Sequence, residues 1–85
     1  MHKRATYDLA VGLTLRELHE ERKAMRSKVA QALEVTELAV TRIETGEERL
    51  TAGGLILFLR LFDLSWDQFI RHVESNLGKA EAEII

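Results

Sequence analysis

Eighty-five residues with 46% hydrophobic content and no cysteine describe one small domain with an ordinary core, and they exclude a disulfide scaffold, thiolate metal sites and thiol catalysis. The longest apolar run, Leu55 to Leu59, is far short of the roughly 20 residues a membrane-spanning helix needs, and Met1 to Arg4 is not followed by the apolar stretch of a signal peptide, so a cytoplasmic protein without a membrane partner is expected. Twelve basic against fourteen acidic side chains leave a net charge of -2, which removes the simplest argument for nucleic-acid binding, a strongly basic domain.

Residues 1–13 read as an N-terminal extension with a weak strand or coil pattern around Tyr7, Leu9 and Val11. From residue 14 the apolar spacing is helical, and with no proline the chain has few breakers. Thr14 and Glu17 stand at capping-box spacing, and Leu15, Leu18 and Arg22 share a stripe, which predicts a first helix over 14–23. Val29, Ala30 and Leu33 give a second helix over 26–33 its apolar face, and Glu34 and Val35 make the turn. Thr36 is a good N-cap for a third helix over 36–45, with Leu38 or Ala39, Val40 and Ile43 pointing inward and Gly46 as a left-handed stop.

After a polar loop, Thr51 caps a fourth helix carrying Leu55, Ile56, Leu59 and Phe62. Gly53 and Gly54 in its first turn predict a frayed start or a close backbone contact. Asp63 and Leu64 turn the chain, Ser65 and Gln68 repeat the capping-box spacing, and Trp66, Phe69, Ile70 and Val73 give a fifth helix that ends near Asn76 and Gly78. Residues 77–85 form a helical or frayed tail. The expectation is an all-α domain of five helices over 14–76, with the aromatics Phe58, Phe62, Trp66 and Phe69 in its core.

The segment Val29 to Gly46 places a small residue, Ala30, where two helices joined by a short turn approach most closely, the helix-turn-helix arrangement. In Val29, Ala30, Leu33, Val35, Thr36, Val40, Thr41, Ile43, Glu44 and Gly46 it resembles the phage repressor and Cro family, the lambda repressor-like or XRE-type helix-turn-helix proteins. The likeness extends outward to Leu15-Arg16-Glu17-Leu18 and to Leu64-Ser65-Trp66-Asp67-Gln68-Phe69, covering about residues 14 to 75. Departures are Glu34 where the family usually has glycine, and Met25-Arg26 where it has a hydroxyl cap followed by glutamine. Arg26 can replace the glutamine at a phosphate by its charge, and Ser27 can cap one turn later.

The resemblance implies a compact lambda repressor-like fold whose third helix enters the DNA major groove, with Thr36, Glu37, Leu38, Thr41 and Arg42 at the base edges. Arg42 can form the bidentate pair with guanine, Glu37 can accept from cytosine N4, and Leu38 can meet a thymine methyl. The plainer alternatives are an Arg42 paired with a neighbouring carboxylate and a Glu37 that is only solvated. Phosphate anchors are expected at Arg26, Lys28, Thr45 and Arg49, although Glu47 and Glu48 lie where relatives often place basic residues. Charge is uneven: residues 23–46 hold four basic and three acidic groups, whereas 47–85 hold four and seven. The family's pairing of the Glu44 position with a basic residue of the first helix implies a His19–Glu44 contact, the alternative being an exposed histidine.

Catalytic readings are weak. His2, His19 and His72 have no metal-ligand spacing, so neither a metal, a cofactor nor an enzyme is expected. Met1 to Arg4 could act as a basic arm along DNA or be an ordinary basic terminus. The expected function is a transcriptional regulator, a repressor, binding a near-palindromic operator in double-stranded DNA as a homodimer, with Trp66, Phe69, Ile70 and Val73 forming the dimer surface. The alternative is the same fold as a protein-binding module, either an antitoxin with a toxin partner or an acidic decoy.

Overall fold

A computed structural model describes residues 2–84, with side chains described for 6–80. The first helix, α1 (His2–Glu21), takes in residues 2–13 of the region expected to be an extension, so Tyr7, Leu9 and Val11 are helical and no helix begins at residue 14. The basic arm expected at residues 1–4 falls where no side chain is described. The reason the helix escapes periodicity is its inward stripe, Thr6, Ala10, Thr14 and Leu18, in which two positions are threonines. Two buried threonines in a four-position stripe look polar to any apolar count.

Thr14 is not a helix cap. Its hydroxyl is fully buried and donates to the Ala10 carbonyl at 2.7 Å, one turn back. The same oxygen accepts from the Asn76 side-chain amide at 3.1 Å, and that amide also donates to Glu17 Oε1 at 2.9 Å. Asn76 belongs to α5 (Trp66–Ile84), which pairs with α1 more extensively than any other two helices do. The buried polar pair fixes the α1–α5 register, because a slip would strand an amide without a partner. The Asn76 bond holds the Glu17 carboxyl below its usual range, against a smaller opposing effect of burial and with help from Lys79.

Between these long helices lie α2 (Arg26–Leu33), α3 (Glu37–Glu44) and α4 (Ala52–Leu61), so the fold is all-α with no strand among the described residues. Thr36 and Thr51 cap α3 and α4, accepting from the Ala39 and Gly54 amides at 3.0 and 2.9 Å. Gly54 sits close to Leu50 and Thr51, whereas Gly53 faces open space. Ser65 and Gln68 exchange the two bonds of a capping box. α5 does not stop near Asn76 or Gly78, because Asn76 and Ala80 continue its buried stripe, with Asn76 bonded to Thr14 and Glu17 of α1.

Three helix ends share one device. Ala24, Val35 and Leu64 donate backbone bonds to the carbonyls of His19, Ala30 and Leu59, five residues back, with Lys23, Glu34 and Asp63 held left-handed at φ 56°, 60° and 52°. None of these three is glycine, so each position carries local strain. The core gathers around Phe58, which meets Phe62 and Phe69 edge-to-face at 4.9 and 6.3 Å, together with Leu15, Leu18, Val29, Val40 and Ile43. Trp66 is 51% exposed and stands outside that core, contrary to its expected place.

Candidate nucleic-acid interface

The outward face of α3 is formed by residues one and four apart, Glu37, Leu38, Thr41 and Arg42, because Val40, Ile43 and Glu44 face inward. Leu38 is 58% exposed, an apolar side chain with no core to join, and Ala39 takes the half-buried position beside it. The Thr36 oxygen is engaged at the cap, and the Thr41 hydroxyl donates to the Glu37 carbonyl at 3.2 Å. Among the described residues no carboxylate pairs with Arg42, which leaves its guanidinium fork open to solvent.

The last turn of α3 is anchored on its inward side. Gly12 of α1 packs against its last turn so closely that a Cβ would collide with the Ile43 and Glu44 carbonyls, the second at 2.7 Å. Glu44 is buried and receives two partners: His19 Nε2 lies 2.6 Å from Oε2, and Arg26 Nη2 donates to Oε1 at 3.1 Å. His19, equally buried, places Nδ1 3.1 Å from the Ala24 carbonyl oxygen. Gly46 ends the helix at φ 80°, against Leu9 of α1.

The four expected phosphate anchors differ in availability. Lys28 is exposed and has no acidic partner among the described residues. Arg26 shares its charge with Glu44, and its Nε is buried without a hydrogen-bond partner. Thr45 donates to Glu47 Oε2 at 2.8 Å, and Arg49 pairs with Asp8 at 3.3 Å. No side chain caps α2: Met25 holds the N-cap position in extended conformation and makes no side-chain bond, and Ser27 makes none in its place.

Lys28 is expected at this helix start from the sequence, whereas Arg22 and Lys23 are not. Arg22, Lys23 and Lys28 line an open groove of about 530 Å³ together with Met25, Ser27, Gln31, Leu61 and Phe62. Arg22 lies 5.5 Å from the centre of the Phe62 ring and donates to the Phe62 carbonyl at 2.8 Å. The signal was present as Arg22-Lys23 at the end of a helix, but only the folded chain brings it beside Lys28. The expected dimer set also divides: Trp66 and Ile70 are exposed, whereas Phe69 and Val73 are buried in the protomer core. Ile56 of α4 is likewise exposed and lines, with Trp66, a groove of about 340 Å³.

The described residues contain no group of three or more histidine, aspartate or glutamate side chains placed to hold a metal ion. None of their helices is long and apolar enough to cross a membrane. Comparison of the chain with protein-family models, with curated proteins and with solved structures gave no match.

Proposed function

We propose that the chain is a sequence-specific double-stranded DNA-binding regulator of transcription, a cytoplasmic repressor of the lambda repressor-like helix-turn-helix kind that reads the major groove with α3. The observation that carries this reading is the outward face of exposed Glu37, Leu38 and Arg42 with half-buried Thr41, on a helix whose inward side is locked to α1. A reader must present donors and an apolar contact on a rigid support, and this face offers a free guanidinium for guanine beside a bare leucine for a thymine methyl. Lys28 and Arg26 at the start of α2 supply phosphate contacts that set orientation. Arg22 and Lys23 extend that basic edge.

One helix covers only about four or five base pairs, so a homodimer placing two copies of α3 about 34 Å apart is part of the reading. Its apolar contact is Trp66 and Ile70 with Ile56, ringed by exposed Arg60 and Arg71 and by exposed Asp63 and Asp67, a rim able to pair with itself across a two-fold axis. The rival reading, a protein-binding module, is favoured by one observation: Thr45 and Arg49 are already engaged by Glu47 and Asp8, which weakens the basic edge after α3.

Fluorescence anisotropy with the DNA upstream of the chain's own gene, over a salt series, tests the proposal. Nanomolar, competitor-resistant binding that weakens with salt and is lost in Arg42→Ala is expected. Binding no tighter than to random duplexes would favour the protein-binding module.

A further inference from the structure

His19 stands with both ring nitrogens against acceptors, Nδ1 at 3.1 Å from the Ala24 carbonyl oxygen and Nε2 at 2.6 Å from Glu44 Oε2. A carbonyl and an ionised carboxylate only accept, whereas a neutral imidazole offers one N–H and one lone pair. Either neutral tautomer therefore turns a lone pair on an oxygen, in a place too buried for water to intervene. The doubly protonated ring satisfies both contacts. Glu44 serves it as an acceptor on both oxygens, since Arg26 donates to the other one.

We propose that His19 is a positioning residue operated by its proton: the charged ring ties the α1–α2 turn to the end of α3, and loss of one proton releases the turn. The proton that stays is the one on Nε2, which faces a full negative charge, so the contact given up is the Ala24 carbonyl. That carbonyl lies immediately before the N-cap of α2, where Met25 makes no side-chain bond. The remaining tether of the turn to His19 is the Ala24 amide bond to the His19 carbonyl at 2.8 Å. A looser turn shifts Arg26 and Lys28 relative to α3. Resting on the DNA-binding reading, the consequence is weaker operator binding once that proton is lost as pH rises.

The charged groups against the ring are Glu44 from α3 and, through Glu44, Arg26 from α2. On α1 itself Glu20 is exposed and pairs with Arg16, and among the described residues no charged side chain of α4 or α5 pairs with His19. Burial of two ionic partners makes the clamp sensitive to losing either one.

The test is a pH series from about pH 5.5 to about pH 8.5 on the full chain. It follows the His19 ring nitrogens by nitrogen-15 NMR and amide exchange at Ala24, corrected for intrinsic base catalysis. Two protonated ring nitrogens at the acid end are expected, with Ala24 protection falling about tenfold as one proton leaves, the effect of one hydrogen bond to a charged group. His19→Arg, permanently charged, is expected to lose the pH dependence, and so is Glu44→Gln, which keeps the proposal testable should the arginine variant not fold. A ring with one bare nitrogen at the acid end, or an Ala24 profile unchanged in both variants, would overturn the clamp. A parallel anisotropy series should show about tenfold weaker DNA binding at the alkaline end for wild type and none of this loss for His19→Arg. Clamp signals without DNA binding at any pH would sink the DNA reading alone, and pH-independent binding alongside them would remove the link between the two.

Discussion

At its N-terminal end α3 shows Thr36, Glu37 and Leu38 to solvent and is held by a single threonine cap, whereas at its C-terminal end the Gly12 backbone, the His19–Glu44–Arg26 cluster and the Gly46 turn pin it to α1 and α2. The two ends of this eight-residue helix therefore do different work. A surface free to meet a ligand needs its rigidity from elsewhere, and α3 draws it from its last turn. The cost is concentrated where the anchor is tightest.

Breaking that anchor should give the largest effect. Gly12→Ala puts a methyl into two backbone carbonyls that cannot swing aside as a side chain would, and we expect a loss of about 3 kcal/mol or non-folding, read by chemical denaturation followed by far-ultraviolet circular dichroism. An unchanged midpoint would mean that α1 and α3 do not meet there. On the outward face of the same last turn, Arg42→Ala should leave stability within about 0.5 kcal/mol while reducing specific DNA binding by about 1–3 kcal/mol. Equal losses in both quantities would erase the distinction between the outward face and the anchored face of α3.

A smaller, opposite effect sharpens the comparison at the α2–α3 turn. Glu34 is left-handed without being glycine, so Glu34→Gly should gain up to about 1 kcal/mol, less the flexibility glycine adds to the unfolded chain. Thermal unfolding at constant pH checks it, and destabilisation would mean that Glu34 makes a contact worth more than its strain. The smallest effect belongs to Glu17. Its carboxyl is held below the usual value of 4.5, so it contributes stability above the ordinary carboxylate range that is lost as pH falls through the lower folded-state value. With 42% of the side chain exposed, solvent screens much of that contribution. Acid unfolding curves for wild type and Glu17→Gln should therefore differ slightly near neutrality and converge at low pH.

The class of fold and the middle three helices are legible from residue order, because Val29, Leu33, Val40, Ile43, Phe58 and Leu59 keep apolar helical spacing and Thr36 and Thr51 supply recognisable caps. α1 is half hidden for a physical reason: its inward stripe is built from Thr6, Ala10 and Thr14, and the side-chain partner of Thr14, Asn76, lies across the fold in α5. The Thr14–Glu17 spacing then imitated a cap. Asn76, three residues after Val73 in the apolar stripe of α5, was the mark of that polar seam and of a helix continuing past Gly78. The contact of His19 with Glu44 was expected through family likeness, but the Ala24 carbonyl on the other nitrogen needed the folded turn. No pattern in the chain reveals that Arg49 is spoken for by Asp8, forty-one positions away.

The central claim, that the outward face of α3 reads DNA in a two-fold arrangement, is tested most directly by selecting bound sequences from a pool of random duplexes with the purified chain. The account predicts enrichment of a near-palindrome whose half-sites each contain a G·C pair and lie about one helical turn apart, with that pair no longer selected by Arg42→Ala. A pool that stays random through successive rounds would contradict it.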